Sequence, residues 1–291
     1  MAETTVQFAS TGSRKRLPFG AFIGVATVAA LLALWAAASG LGWTSPVFLP
    51  SPARVADAIV TAATSGYANA TLWQHMAASL WRVFAALVCT LAIGVPAGLL
   101  IATSRVGRGI LDPLIEFIRP LPPLAYLPLI IIWCGIGEAS KILVIGIAML
   151  APIVISTVSG VRAAGESQIR AARAFGATPW QMIREVTFPA ALPSIFTGIR
   201  IALGAGWTTL VAAELVAATR GLGYMIQSAA QFLVTDMVIA GILVISALAT
   251  LCEIALRYAE RRLLPWVGRL AACLALCCCH DVTPVYPRKN P

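Results

Sequence analysis

Charge is scarce in this chain of 291 residues: Asp, Glu, Lys and Arg make up only 11% of it, against about a quarter in soluble domains. So few charges cannot cover the surface of a water-soluble protein of this size. Several catalytic signatures are also missing. There is no H-E-x-x-H, no G-x-S-x-G and no pair of intramembrane aspartates, which argues against an intramembrane enzyme. No Walker A string exists; GIGEASK at Gly135–Lys141 comes nearest and lacks the second glycine before Lys141, so the chain does not bind ATP through a P-loop. The seven cysteines form no disulfide framework, because Cys89, Cys134 and Cys252 stand alone in apolar runs. What is abundant is apolar: 59% hydrophobic residues and a mean hydropathy of +0.86. The expected fold class is all-α, a polytopic membrane helix bundle with the lipid bilayer as its first partner.

A bilayer core requires about 20 mainly apolar residues per helix. Six segments meet that expectation. The first, 19–39, follows Arg14-Lys15-Arg16 and resembles a signal peptide, but its apolar run exceeds the 7–15 or so residues of a signal core, so it reads as a retained span. The others are Val83–Thr103, Leu114–Ile136, Ile142–Val161, Ser194–Ala217 and Met237–Tyr258. The third is interrupted by Pro113, Pro120, Pro122, Pro123 and Pro128. Such a segment belongs inside the bundle, where neighbours or a cavity satisfy the freed carbonyls.

The net charge of +9 points to orientation rather than to nucleic acid, since basic residues are retained on the cytoplasmic side. With both termini inside, the cytoplasmic segments hold Arg14, Lys15, Arg16, Arg105, Arg108, Arg162, Arg170, Arg173, Arg184, Arg257, Arg261, Arg262 and Arg269. The outside loops then hold only Arg54, Arg82, Lys141 and Arg220. The organisation that follows is a cytoplasmic segment 1–18, the first helix 19–39, an external segment 40–82, a core domain 83–258 with a cytoplasmic loop 162–193, and a tail 259–291. Within the external segment, Ala53–Thr64 reads as an amphipathic interfacial helix, and His75, between Trp73 and Trp81, reads as an interfacial histidine without a partner.

The loop between the fourth and fifth spans carries RAARAFGATPWQMIREVTFPAALP, Arg170–Pro193. Ala171, Ala172 and Ala174 lead to Gly176, which can adopt positive φ and close a helix. Thr178 then suits an N-cap, Pro179 the first helical position and Gln181 the capping-box partner. A helix of about two turns follows, and Pro189 ends it. Small residues at the turn allow another protein surface close access, with Arg170, Arg173, Arg184 and Glu185 as polar contacts. This is a docking element.

That pattern resembles the coupling motif of permease subunits in ATP-binding-cassette importers, usually E-A-A, three residues, G, nine residues, I-x-L-P. Ala171, Ala172, Gly176 and Pro189 occupy its small, turn and proline positions, while Arg170 replaces the glutamate and Val186 and Phe188 replace Ile and Leu. The strings TLWQHMAASLWR (71–82), RGILDPLIEFIRPLPPLAYLPL (108–129), IWCGIGEASKIL (132–143) and GAGWTTLVAAELVAATRGLGYMIQSA (204–229) are similar to the branch handling taurine, other sulfonates and nitrate. The resemblance implies a type I importer permease fold in a bacterial inner membrane and a homodimer of two such chains. It also implies a cytoplasmic ATPase dimer holding ATP and Mg, and a periplasmic substrate-binding protein. The expected function is import of taurine, or of another sulfonate or nitrate, with no cofactor on this chain and no catalytic role.

Ionisable residues at membrane depth are functional candidates. Glu214 follows Trp207, Thr208 and Thr209 in the fifth span; two readings stand, a place on the translocation pathway or a hydrogen bond to a neighbouring helix near the outer surface. Glu116 and Arg119, three apart on one helical face, read as a structural pair. Gly94 and Gly98 form a G-x-x-x-G, which permits close helix contact. In the tail, Cys273, Cys277, Cys278, Cys279 and His280 lack the spacing of a zinc loop, so no metal site is expected. An ion-coupled carrier is the rival class; it calls for a coupling-ion site and inverted repeats, and no repeat is visible.

Overall fold

The computed structural model describes residues 19–42, 45, 47–163 and 166–265. The cysteine-rich segment 266–291 and the N-terminal segment 1–18 lie outside the described residues. Helices dominate: α1 (Phe19–Gly40), α2 (Pro52–Thr64), α3 (Leu72–Thr103), α4 (Arg105–Ile118), α5 (Pro123–Cys134), α6 (Glu138–Ala163), α7 (Glu166–Ala174), α8 (Pro179–Gln181), α9 (Phe188–Ala217), α10 (Leu222–Gln231) and α11 (Thr235–Leu263). Among the described residues there is no strand beyond a single bridge between Tyr67 and Ala70.

Four helical stretches are long and apolar enough to cross a bilayer, and the pair α4–α5, bent by 107°, makes a fifth candidate. The apolar α1 adds a further 22-residue helix. The third expected span, Leu114–Ile136, is therefore not one rod. Pro120 and Pro122 interrupt it because neither has an N–H to donate; α4 closes at Arg119, whose N–H bonds to the Ile115 carbonyl at 3.0 Å, and α5 starts afresh at Pro123. The second expected span also begins earlier: α3 starts at Leu72, where Thr71 and Gln74 form a capping box. Its 32 residues reach about 48 Å at 1.5 Å each, more than the roughly 30 Å hydrocarbon thickness.

The helix most buried among the candidate spans is α6, packed between α3 and α9. Small residues set how closely these helices approach. A Cβ on Gly98 would lie 2.6 Å from Thr157 Cβ, and one on Gly94 3.0 Å from Ile153 Cγ2, so the G-x-x-x-G pair is the α3 face against α6. The core joins Val83 and Ala86 of α3, Ile145, Met149 and Ile153 of α6, Leu203, Trp207 and Leu210 of α9, and Leu222 and Met225 of α10. Away from that seam the helices turn large apolar side chains outward; Ile132 is 77% and Trp133 71% exposed. Water would penalise such a surface by about 25 cal/mol per Å², and acyl chains do not. Trp35 of α1 donates its indole N–H to the Pro50 carbonyl at 3.0 Å, tying the first helix to the loop before α2.

Candidate functional site

Two constructions sit at opposite ends of the α3–α6–α9 seam. The first is the elbow between α6 and α9. Helix α7 ends as its sequence suggests: Gly176 has φ +79°, its N–H donates to the Arg173 carbonyl at 3.0 Å, and the Ala177 N–H donates to the Ala172 carbonyl at 3.1 Å. This crossed pair is a Schellman turn, and glycine takes the left-handed position without a Cβ penalty. Thr178 then caps α8, accepting from the Gln181 N–H at 3.3 Å while the Gln181 side-chain oxygen accepts from the Thr178 N–H at 2.9 Å. Pro179 takes the first turn, where a missing N–H costs nothing.

Pro189 does not end the helix. From Pro179 the chain runs helically to Val216 over 38 residues, passing through a π-helical turn at Met182–Thr187. There the Phe188 N–H bonds back to the Ile183 carbonyl, five residues earlier. The wider turn takes the carbonyls out of α register and leaves room for the pyrrolidine ring, so proline is absorbed rather than disruptive. The π turn has no sequence signal beyond Pro189 itself.

Of the elbow residues, Arg170, Ala171, Gly176, Thr178, Pro179 and Arg184 are exposed, and Ala172 and Pro189 are half-buried. Two large side chains that the sequence reading passed over stand out with them: Phe175 is 92% and Trp180 68% exposed. Beneath the elbow lies a cavity of about 640 Å³ lined by Thr103, Arg162, Arg173, Pro179, Met182 and Thr187, among others. The elbow is thus held by local hydrogen bonds and is only loosely packed on the bundle.

The second construction is a buried ion cluster at the other end. Glu214 of α9 is fully buried. Its carboxylate accepts from the Ser79 hydroxyl at 2.8 Å, from Arg82 Nη1 at 2.6 Å and from the Gly223 N–H at 2.7 Å. Arg82, 3% exposed, continues through a bidentate contact to Glu138 (2.6 and 2.8 Å) and one to the Arg220 carbonyl at 2.8 Å. Lys141 joins Glu138 at 2.9 Å. Arg82 and Lys141 are therefore not loop charges; they lie within α3 and α6 and are paired inside the protein.

His75 is likewise not a partnerless interfacial side chain. It is fully buried, and its Nδ1 accepts from the Gly221 N–H at 3.0 Å. That leaves Nε2 carrying the proton, which it donates to the Tyr67 carbonyl at 2.9 Å. The cluster explains the unforeseen α10. Gly221 has φ +139°, and a Cβ there would fall 2.4 Å from the Glu214 carboxyl carbon. The G-L-G at Gly221–Gly223, just past an intramembrane glutamate, is the signal that marked this pairing. It brings the Gly223 amide to a carboxylate nine residues upstream, while the Leu222 N–H donates to the Ser79 hydroxyl at 2.9 Å.

Between the two ends, the bend of α4–α5 and the middle of α6 and α9 enclose a cavity of about 390 Å³. Thr208 and Thr209 line it. Trp207 packs in the core instead, 7% exposed, and Glu214 is held in the ion cluster. Arg119 stands at the bend and lines the same cavity; among the described residues no ion pair joins it to Glu116, so the expected pair is not formed. Arg119 keeps helical backbone, with φ −52° and ψ −47°; it stands among the residues lining the cavity, and Glu116 does not.

Among the described residues, helices with apolar faces turned outward, a buried ion cluster at one end and a cavity at mid-length form a membrane helix bundle. The chain belongs to the family of binding-protein-dependent transport system inner membrane components, whose pattern it matches over residues 94–265, and it is by that membership a transport permease. Among curated relatives, it is 51% identical to the taurine transport system permease protein TauC of Escherichia coli (strain K12), over 85% of this chain and 90% of that protein. It is 38% identical to the putative aliphatic sulfonates transport permease protein SsuC of the same strain, over 81% and 88%. It is 30% identical to the bicarbonate transport system permease protein CmpB of Synechococcus elongatus, over 84% and 90%. Among solved structures the fold is similar to an inward-facing MetNI methionine ABC transporter, with a TM-score of 0.56, 21% identity, and coverage of 64% of this chain and 92% of that one.

Proposed function

We propose that this chain is the membrane subunit of an ATP-driven importer that carries taurine or a related sulfonate across a bacterial inner membrane. Two copies would form the passage, with N- and C-termini in the cytoplasm and the outer mouth fed by a periplasmic substrate-binding protein. ATP and Mg would reside on a separate cytoplasmic ATPase dimer, and this chain would hold no cofactor. The observation that carries the reading is the elbow, a preformed turn that leaves Phe175 and Trp180 uncovered. The identity to the taurine permease supports the substrate class.

The mechanics follow from continuity. The elbow leads into a helical run of 38 residues, whose middle lines the cavity through Ile201, Ala205, Thr208 and Thr209. A push delivered by ATPase closure at Arg170, Ala171, Ala172, Gly176, Thr178, Pro179, Arg184 and Pro189 would pass along that helix to the passage. Such a push switches a bundle between two packings rather than deforming it smoothly. Import of aliphatic sulfonates by the same machinery is the second reading, favoured by the identity to the sulfonate permease; nitrate is the third anion considered.

The test is uptake of labelled taurine by cells carrying this chain with its partner ATPase, intact or blocked. Uptake should stop when hydrolysis is blocked. Uptake that continues removes the importer reading in favour of an ion-coupled carrier. Gly176→Glu should abolish uptake while membrane insertion is retained; normal uptake by that variant removes the docking role of the elbow.

A further inference from the structure

The cavity at the helix bend has a one-sided polar lining. Arg119 is the only fixed charge among its lining residues, and among the described residues its guanidinium has no hydrogen-bond or ion-pair partner. Other arginines are engaged: Arg82 with Glu138 and Glu214, and Arg200 and Arg257 with Glu253. Arg119 instead shares its cavity with Ala151 and Pro152, near the middle of the 26-residue α6. A cation at that depth is expensive and belongs to a water-filled or ligand-filled path. The broken backbone from Ile118 to Pro123 fits the same place, since irregular chain at membrane depth is tolerated where it borders a cavity.

The hydroxyls divide by role. Thr208 and Thr209 both donate to the Ala205 carbonyl at 2.8 Å, so their oxygens offer lone pairs to the cavity. Ser156 and Tyr126, which line it as well, have no hydrogen-bond partner among the described residues and remain free to donate. Donors and a cation therefore come from Arg119, Ser156 and Tyr126, and acceptors from Thr208 and Thr209. No carboxylate lines the cavity.

We propose that this cavity is a sulfonate subsite in the membrane: Arg119, with Ser156 and Tyr126, holds the anionic head, and the Thr208 and Thr209 oxygens receive a substrate ammonium when one is present. The inference rests on the importer reading above and deepens it. Its volume, about 390 Å³, falls in the range of small-molecule sites. Because the only full charge is positive, the anion supplies most of the affinity and the amine adds a smaller increment. Charge-assisted hydrogen bonds outweigh neutral ones by about twofold. The site accepts sulfonates with or without an amine, so the choice between them lies with the binding protein.

The experiment is equilibrium binding of labelled taurine and labelled ethanesulfonate to the permease–ATPase complex in nanodiscs, with no binding protein present. Both should bind saturably. Arg119→Gln should weaken both by about ten- to a hundredfold, the scale of a lost hydrogen bond to a charged group, whereas Arg119→Lys should retain part of the affinity because a point charge persists. Thr208→Val should weaken taurine severalfold and leave ethanesulfonate within twofold. Absence of saturable binding to the wild-type complex, or Arg119→Gln binding both within twofold of wild type, overturns the subsite. Should Arg119→Gln not assemble with the ATPase, Ser156→Ala decides: reduced binding of both sulfonates supports the subsite, and wild-type binding of both overturns it. Failure of the importer reading is seen separately, as ATP-independent uptake in cells.

Discussion

Replacing Glu214 with glutamine tests the ion cluster without changing its volume. The carboxylate accepts three hydrogen bonds, two on Oε1 from Ser79 and Arg82 and one on Oε2 from Gly223. An amide offers one acceptor oxygen and one donor nitrogen. In one orientation its NH2 faces the Gly223 N–H; flipped, it faces Arg82 and Ser79. Either way donors confront one another where the native spacing is 2.6–2.8 Å. Breaking one side of a buried pair costs about 3–5 kcal/mol. Arg82 keeps its bidentate contact with Glu138, which is half-exposed, so the expected loss lies near the lower bound, about 3 kcal/mol. The assay is unfolding of the detergent-purified protein in a denaturant titration, run on wild type, Glu214→Gln, Arg82→Met and the double variant. The double variant should lose less than the sum of the singles, with a coupling of at least about 1 kcal/mol. A Glu214→Gln protein within about 0.5 kcal/mol of wild type, the range of an ordinary surface change, would refute the claim that Glu214 is an ionised hub.

Three further variants have expected outcomes. Gly98→Leu should separate α3 from α6, because even a Cβ there meets Thr157 at 2.6 Å; a loss of about 1–3 kcal/mol in the same titration is expected, whereas Gly109→Ala, with nothing within 4 Å of the new Cβ, should be neutral or slightly stabilising. Thr178→Ala removes the elbow's capping box at a cost of about 1 kcal/mol. Uptake should then fall while the unfolding midpoint of the whole bundle changes little, since the elbow packs loosely on it; an unchanged uptake rate would show that the cap does not set the elbow's geometry.

Much of this molecule is legible in one dimension. Runs of apolar residues select membrane helices because the chain has no other means of hiding its backbone from lipid. The elbow is equally local: the Schellman turn at Gly176 and the Thr178–Gln181 box involve residues at most five apart, so spacing alone predicts them. The fate of Pro189 was not local, because a proline ends a helix only if the preceding turn keeps α geometry, and here a π turn intervenes.

Tertiary structure decided the partners of the ionisable residues. Arg82 and Glu214 are 132 positions apart, and His75 and Gly221 146; no periodicity connects such residues, and only the packing of α3 against α9 and α10 brings them to hydrogen-bond distance. The same packing turns Trp207 into the core and Thr208 into the cavity, although the two are neighbours in the chain. Local sequence sets which segments become helices because that depends on neighbours a few residues away. Which polar groups meet depends on how those helices cross, and that is fixed by side-chain volumes along the whole length of the seam, down to a single missing Cβ at Gly98 or Gly221.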